Sequence, residues 1–573
     1  MRPKTLSTAL GIAVLVFLLT SMCYAQTAIQ SQEGDDEGFI SAIPVSSVDT
    51  SPTLPGPGSP TGTGKPPRIG TNRRVNDPQS GFPNGLFGRS ETSVASTSDG
   101  LFVVYGFNDA QGFCGPPFGA ACTPQSGLSG FGFSSDGGIT YVDGGAPPVI
   151  NHIFTRGDPW LDRGGFDNAT FYYANLSVHD TTGANLGVAV HRGHFVGGAL
   201  NWEDVQAFNA PNAPNDFYDK EAIATAKDGS GSGYVSLTNF IEVCGFAQAG
   251  SGQIEVWRTH DGGNSWQGPV IVSPDTTTPN SGPGCGSTQT LQQSSAPAIG
   301  SKGEVYVVWQ FGPTFTAAGT STNANIYFSR SLDGGLTFST PSSVAAINSM
   351  RQDSPVGYNR DRINDHPRIA VATSGPFNGR IYVTYYNAVD PVTAGAISAC
   401  PPPANALCRA QRLTSSNVFV TFSDDRGATW SKPLAIGSQL PSGSTGTKRW
   451  WPVVTVEPGG NIDIVYYESQ ETPVASNPSC TIGLGGVLRR RGPANSLVDT
   501  FWAQSTNGGS TFGAPVKVST ATTNWCTTVS NIRPNFGDYI GSVSAGNRTI
   551  PTWADGRGGV PDVFTAPILG SSK

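Results

Sequence analysis

Charge is scarce in this chain. Only 13% of its 573 residues are charged, the formal net charge is −7, and no basic run stands out. Nucleic-acid binding therefore has no electrostatic footing. Long apolar runs are lacking as well. Residues 9–19 form one, too short to span a bilayer comfortably, and no later segment is apolar for long enough to be a membrane span. The cysteines show no zinc-ribbon spacing, which argues against a metal–thiolate site.

What is present at the N-terminus is a secretory pattern. Arg2 and Lys4 precede the apolar run, and small residues then lead to Ala25. Residues 1–25 are expected to be a signal peptide cut before Gln26, which makes the mature protein secreted or extracytoplasmic. Cys23 raises a lipoprotein reading, but Met22 is a poor residue before a lipidated cysteine. Residues 26–65 are rich in Ser, Pro, Gly and Thr without apolar periodicity and are expected to be a disordered leader. Residues 66–573 are expected to form one domain.

The high content of Gly (73) and Pro (44) suits many short strands and tight turns rather than long helices. One strand–turn–strand pattern recurs along the chain. It appears as "ETSVASTSDGLFVVYG" from Glu91, "DPWLDRGGFDNATFYYA" from Asp158 and "DKEAIATAKDGSGSGYVSL" from Asp219. It returns from Ser295, Asp365, Trp450 and Gly537. Self-similarity at this period, made of strands, predicts an all-β chain folded as a β-propeller. Seven four-stranded blades are expected, with six as the alternative. The last unit stops after its third strand, "DVFTAPI" from Asp562, while "NRRVNDP" from Asn72 has the fourth-strand pattern. The N-terminal strand is therefore expected to close the last blade, which removes an exposed sheet edge.

Between the third and fourth strands of five units lies a shared turn. It reads "SSDGGITY" from Ser134, "THDGGNSW" from Thr259, "SLDGGLTF" from Ser331, "SDDRGATW" from Ser423 and "STNGGSTF" from Ser505. Asp136, Asp261, Asp333, Asp425 and Asn507 hold its centre, where a short polar side chain accepts hydrogen bonds from its own turn. These strings resemble the Asp-box of the sialidase (neuraminidase) and BNR-repeat proteins. The resemblance implies a scaffold role for the turns, on the face away from the active site. It further implies an active site with arginines gripping a substrate carboxylate, a tyrosine nucleophile assisted by a glutamate, and an aspartate acid/base. The family's first arginine sits in a Phe/Tyr-Arg-Ile-Pro motif; the nearest strings here are "PPRIG" with Arg68 and "HPRIA" with Arg368.

The opposite face carries the long insertions, at 313–324, 392–411 and 472–497, and loops on a rigid scaffold are where binding usually sits. Removal of the signal leaves eight cysteines, an even number in an exported chain. Cys114–Cys122 and Cys400–Cys408 would each close one loop. Cys244–Cys285 and Cys480–Cys526 would each tie a loop to the next blade crossing. Aligned starts of the innermost strands bring carboxylates to the same face. The catalytic candidates are Asp158, Asp219, Glu221, Asp365 and Tyr539. The substrate-binding candidates are Arg368, Arg449, Trp160, Trp451 and Asp538. Paired acids beside aromatic platforms suit sugar chemistry. The alternative uses of the same acids are strand capping and oxygen ligation of a Ca²⁺ in the channel; no cofactor is otherwise required. The expected function is a sialidase-like glycoside hydrolase acting on extracellular glycans. The alternative is a non-catalytic propeller that binds glycan or glycoprotein through its disulfide-stiffened face. A monomer is expected.

Overall fold

The computed structural model describes residues 67–570 apart from 79–85, 113–126, 180–185, 214–215, 244–245, short stretches between 275 and 361, and most of 393–413 and 473–494. The signal, the leader and Cys114, Cys122, Cys244, Cys285, Cys400 and Cys480 lie outside the described residues, as does the side chain of Cys408. Cys526 is disulfide-bonded.

Alternating apolar strands separated by glycine turns stack into seven antiparallel blades, as the repeat predicts. Their innermost strands are Arg89–Ser96, Ile153–Gly164, Phe217–Thr225, Ser287–Ile299, Arg368–Val371, Thr447–Val456 and Gly541–Ala545. Among the described residues the helical content is one short turn, Ala110–Gly112, and no helix is long and apolar enough to cross a membrane. The core sits between blades. One cluster packs Trp450, Trp451, Trp525 and Trp553 across blades 5, 6 and 7, and Trp525 stacks on Phe536 with ring centroids 4.0 Å apart.

The ring closes with the borrowed strand. Arg73 and Arg74 pair with Thr565 and Phe564 of the last blade's third strand. Asn76 fixes this pairing from its side chain: its Nδ2 donates to Asp562 Oδ1 at 2.9 Å and its Oδ1 accepts from Val563 N at 2.7 Å. Asn72 binds the preceding blade, accepting from Thr520 N at 2.7 Å and donating to Val518 O at 2.9 Å.

The five shared turns fold alike. In the fourth, Asp425 Oδ1 accepts from Ser423 Oγ at 2.7 Å and from Thr429 N at 2.8 Å, and Oδ2 accepts from Thr429 Oγ1 at 2.6 Å. Asn507 makes the same contacts, with its amide donating to Thr511 Oγ1 at 2.8 Å. The hydroxyl of Thr429 and the Thr429 amide hold the Asp425 carboxyl down at about 2. The aromatic that ends the turn reaches the preceding blade: Trp430 packs edge-on to Phe328 at 5.3 Å. In blade 2, where the motif is worn, Gly197 and Gly198 both have positive φ (60° and 86°) and make a two-residue hairpin between Val196 and Ala199.

Removing residues 26–78 will lower the melting temperature of the whole ring, whereas removing 26–63 will leave it unchanged; thermal unfolding of the two truncations decides. Asp425→Ala will lower stability by about 0.5–1 kcal/mol at neutral pH, the low end for lost hydrogen bonds because the turn is exposed, while Asp425→Asn will retain most of it, as Asn507 shows. A carboxyl held below its unfolded value stabilises above about pH 4. The gap between wild type and Asp425→Ala will therefore close as the pH falls toward 2, measured by urea unfolding.

Candidate functional site

The innermost strands share a distortion that the sequence pattern does not show. Near its upper end each of six strands or strand starts carries a residue at positive φ: Glu91 (52°), Asp158 (52°), Lys220 (55°), Ser294 (60°), Trp451 (48°) and Gly537 (75°). In the first five the pairing register slips at that point, so the residue forms a bulge. Left-handed backbone at non-glycine residues costs of order 1–3 kcal/mol each and persists only where the surroundings enforce it. At Gly537 a side chain is excluded outright, since a Cβ there would stand 2.1 Å from Glu91 Cγ. Sequence alignment placed Asp219, Ser295 and Trp450 at this level; the structure places their neighbours Lys220, Ser294 and Trp451 there instead.

Three of the bulged residues, Glu91, Asp158 and Lys220, meet in a buried network of charges. Lys220 Nζ lies 2.9 Å from Asp158 Oδ2, 3.2 Å from Asp538 Oδ2 and 3.7 Å from Asp219 Oδ1. Arg360 pairs with Asp538 Oδ1, to which Tyr358 Oη also donates at 2.9 Å, and Asn364 Nδ2 donates to Oδ2 at 3.0 Å. Asp538 N donates to Glu91 Oε1 at 2.9 Å, Asn108 Nδ2 donates to Glu91 Oε2 at 3.1 Å, and Asp158 N donates to Asn108 Oδ1 at 2.9 Å. Glu91, Asp158, Asp219 and Asp538 are fully buried. Burial opposes the Asp538 charge, but Arg360 and Lys220 outweigh it and hold the carboxyl well below the usual range. The network joins blades 1, 2, 3 and 7 to the crossing that precedes blade 5.

Beneath the network lies the central channel, a cavity of about 490 Å³ lined by all seven innermost strands. Trp160, Arg368 and Tyr539 meet at its upper end. The Arg368 guanidinium stands 4.4 Å from the Trp160 ring centroid and 5.2 Å from that of Tyr539. Its hydrogen bond is to a backbone carbonyl, Nη1 to Pro367 O at 3.1 Å, and among the described residues it forms no salt bridge. Burial pushes this guanidinium down to about 10, still protonated at neutral pH. Tyr539 Oη donates to Pro159 O at 3.0 Å, and burial, with the charges of Glu91, Asp158 and Glu221, raises its phenol well above the usual value. His366, 5.9 Å from Tyr539, is held neutral by burial and by Arg368.

The structure thus brings together Asp158, Asp219, Asp538, Tyr539, Trp160 and Arg368, with Glu221 buried beside them. Asp365 is engaged locally: it accepts from Ser349 Oγ, from Met350 N at 3.0 Å and from Gln310 Nε2 at 3.3 Å, and burial raises it to about 6. Arg449 turns to Glu468 Oε2 at 2.7 Å and Ser438 O at 2.8 Å. Trp451 packs among Trp450, Trp525, Tyr467 and Tyr358. Sequence reasoning missed Tyr358, Arg360 and Asn364. For Arg360 and Asn364 the signal was present in "NRDRIND" from Asn359, a dense charged string in a chain poor in charge, which Tyr358 directly precedes. Among the described residues no group of three or more His, Cys, Asp or Glu side chains is arranged to hold a metal ion.

Lys220→Met will destabilise the ring by about 3–5 kcal/mol, because Asp158 and Asp538 then remain buried without one of their cations. Chemical unfolding measures this, with Asp425→Ala as the mild comparison.

No protein-family model matches this chain, and no curated protein matches it. Solved structures do. An α-L-arabinofuranosidase from Fusarium graminearum in complex with an iminosugar inhibitor is 12% identical, with a TM-score of 0.40, covering 70% of this chain and 92% of its own. An intramolecular trans-sialidase from Ruminococcus gnavus in complex with oseltamivir carboxylate is 11% identical, TM-score 0.34, covering 87% and 97%. A Penicillium chrysogenum α-L-arabinanase complexed with arabinobiose is 14% identical, TM-score 0.26, covering 59% and 89%. At these scores no residue role is carried across.

Proposed function

We propose that the protein is a secreted, sialidase-like glycoside hydrolase that takes an acidic sugar at the upper end of its channel. One observation carries this reading: Arg368 is a buried cation that makes no salt bridge among the described residues and lies against the adjoining rings of Trp160 and Tyr539. A buried charge is costly unless compensated, and a sugar carboxylate supplies the missing anion with two charge-assisted hydrogen bonds. Trp160 offers a flat apolar face to a pyranose ring. Tyr539 stands next to Arg368 as the nucleophile, and Glu91, Asp158 and Glu221 are the acids whose charges reach it. In that chemistry a carboxylate takes the phenolic proton as the tyrosine oxygen bonds to the anomeric carbon, a carboxylic acid protonates the departing glycosidic oxygen, and water then releases the sugar while the tyrosine and the acid regain their protons.

A second reading, a binding propeller without turnover, is favoured by a different observation. Asp158 and Asp538 are tied to Lys220 and Arg360, and the Tyr539 hydroxyl donates to a backbone carbonyl rather than to an acid. Umbelliferyl glycosides of N-acetylneuraminic, glucuronic and galacturonic acid, with neutral glycosides as controls, separate the two. Hydrolysis of an acidic substrate that falls roughly 10- to 100-fold in Arg368→Met and is lost in Tyr539→Phe supports the enzyme. Binding of the free acid with no turnover, unchanged in Tyr539→Phe, supports the binding propeller. Turnover unaffected by Arg368→Met removes both.

A further inference from the structure

The acidic-sugar reading leaves open the face from which the ligand arrives, and the channel has one closed end and one open end. At the closed end Trp160, Arg368 and Tyr539 converge. Above them the crossing before blade 5 fills the space: Tyr358, Arg360, Asn364 and His366 are each at most 3% exposed. At the other end the lining residues Lys227, Asp228, Ser301 and Thr373 are exposed. These lie where the innermost strands turn into the second strands, beside the hairpin turns. Gly262 of the second shared turn donates to Gly231 O of that neighbouring turn at 2.9 Å.

Charge along the lining is also uneven. Lys227 at the mouth is already paired, its Nζ 2.6 Å from Asp162 Oδ1. The wall between is mixed: Ile223, Ala298, Val371 and Val453 alternate with Thr92, Ser93, Thr225 and Ser542, and the Ser542 Oγ is buried without a hydrogen-bond partner among the described residues. Arg368 is thus the one cation of the described lining without a salt bridge, the charges of Glu91 and Asp538 reaching it only from farther off, and it sits at the blind end. A channel of about 490 Å³ is within the usual range of ligand cavities, roughly 300–1,000 Å³.

From this geometry, and resting on the acidic-sugar reading, we infer that the ligand enters through the channel from the hairpin-turn face, carboxylate first, and meets Arg368 at the end. This face is opposite to the one that the long loops and cysteines mark in the sequence. The substrate class narrows accordingly to a slender, unbranched chain end whose leading residue bears a carboxylate. The ring of turns, a scaffold by its hydrogen bonds, then also frames a mouth.

The test blocks the mouth after folding. Ser301→Cys and Thr373→Cys are each labelled with a bulky maleimide, and Gln439→Cys, exposed on the crossing from blade 5 to blade 6 at the other face, is the labelled control. Binding of free N-acetylneuraminate and glucuronate is measured by calorimetry, and circular dichroism melting confirms that each labelled protein is folded. At least tenfold weaker binding with either mouth label, and unchanged binding with the control label, is the expected result. If Arg368→Met abolishes binding while both mouth labels leave it intact, the route is wrong and the acidic-sugar reading stands. If neither sugar acid binds, or Arg368→Met binds as wild type does, both fall together.

Discussion

The carboxylate of Asp538 is the point on which the upper half of the ring depends. It receives Lys220 from blade 3, Arg360, Tyr358 and Asn364 from the crossing before blade 5, and through its backbone amide it binds Glu91 of blade 1. A propeller blade contacts only its neighbours through its sheets, so a ring is otherwise held only by nearest-neighbour packing. A charge shared at the axis joins blades that are not neighbours. Full burial makes such an arrangement stringent: each ion loses its water, and geometry and partners must replace it. Three of the left-handed bulges serve that demand, bringing Glu91, Asp158 and Lys220 together at the axis where regular strands would keep their pleat.

Against that network Arg368 stands out by contrast. Lys220 and Arg360 are compensated by acids, and their carboxylates are therefore occupied. Arg368 has aromatic faces and one carbonyl. Neighbouring buried cations thus have different chemistry for one reason, the presence or absence of a carboxylate within salt-bridge distance. The first kind stabilises the protein; the second has interaction capacity left for a ligand.

The two faces of the ring are built by different physics. On the turn face, exposed Asp and Asn side chains close short local hairpins, each with partners two to four residues away. On the axis, hydrogen bonds join residues more than 400 positions apart, such as Asp538 to Glu91. Local contacts recur with the repeat and tolerate wear, as in blade 2, where a Gly–Gly hairpin replaces the motif. Axial contacts do not recur, since each strand contributes a different side chain to one shared space.

That difference decides what was legible. The repeat period, the seven blades, the borrowed closing strand and the turn centres from Asp136 to Asn507 were all readable, because each is written in a short string whose physics is complete within it or recurs at a fixed spacing. The gathering of Asp158, Asp219, Trp160, Arg368, Asp538 and Tyr539 near one channel end was readable too, because symmetry carries equivalent strand positions to the axis. Their chemistry was not. The bulges moved Lys220, Ser294 and Trp451 into the places assigned to their neighbours, and Asp365 and Arg449 found local partners in Ser349 and Glu468. Which acids are neutralised, and which cation is left without an anion, depends on distances of a few ångströms between strands far apart in the chain. Only the closed ring sets those distances.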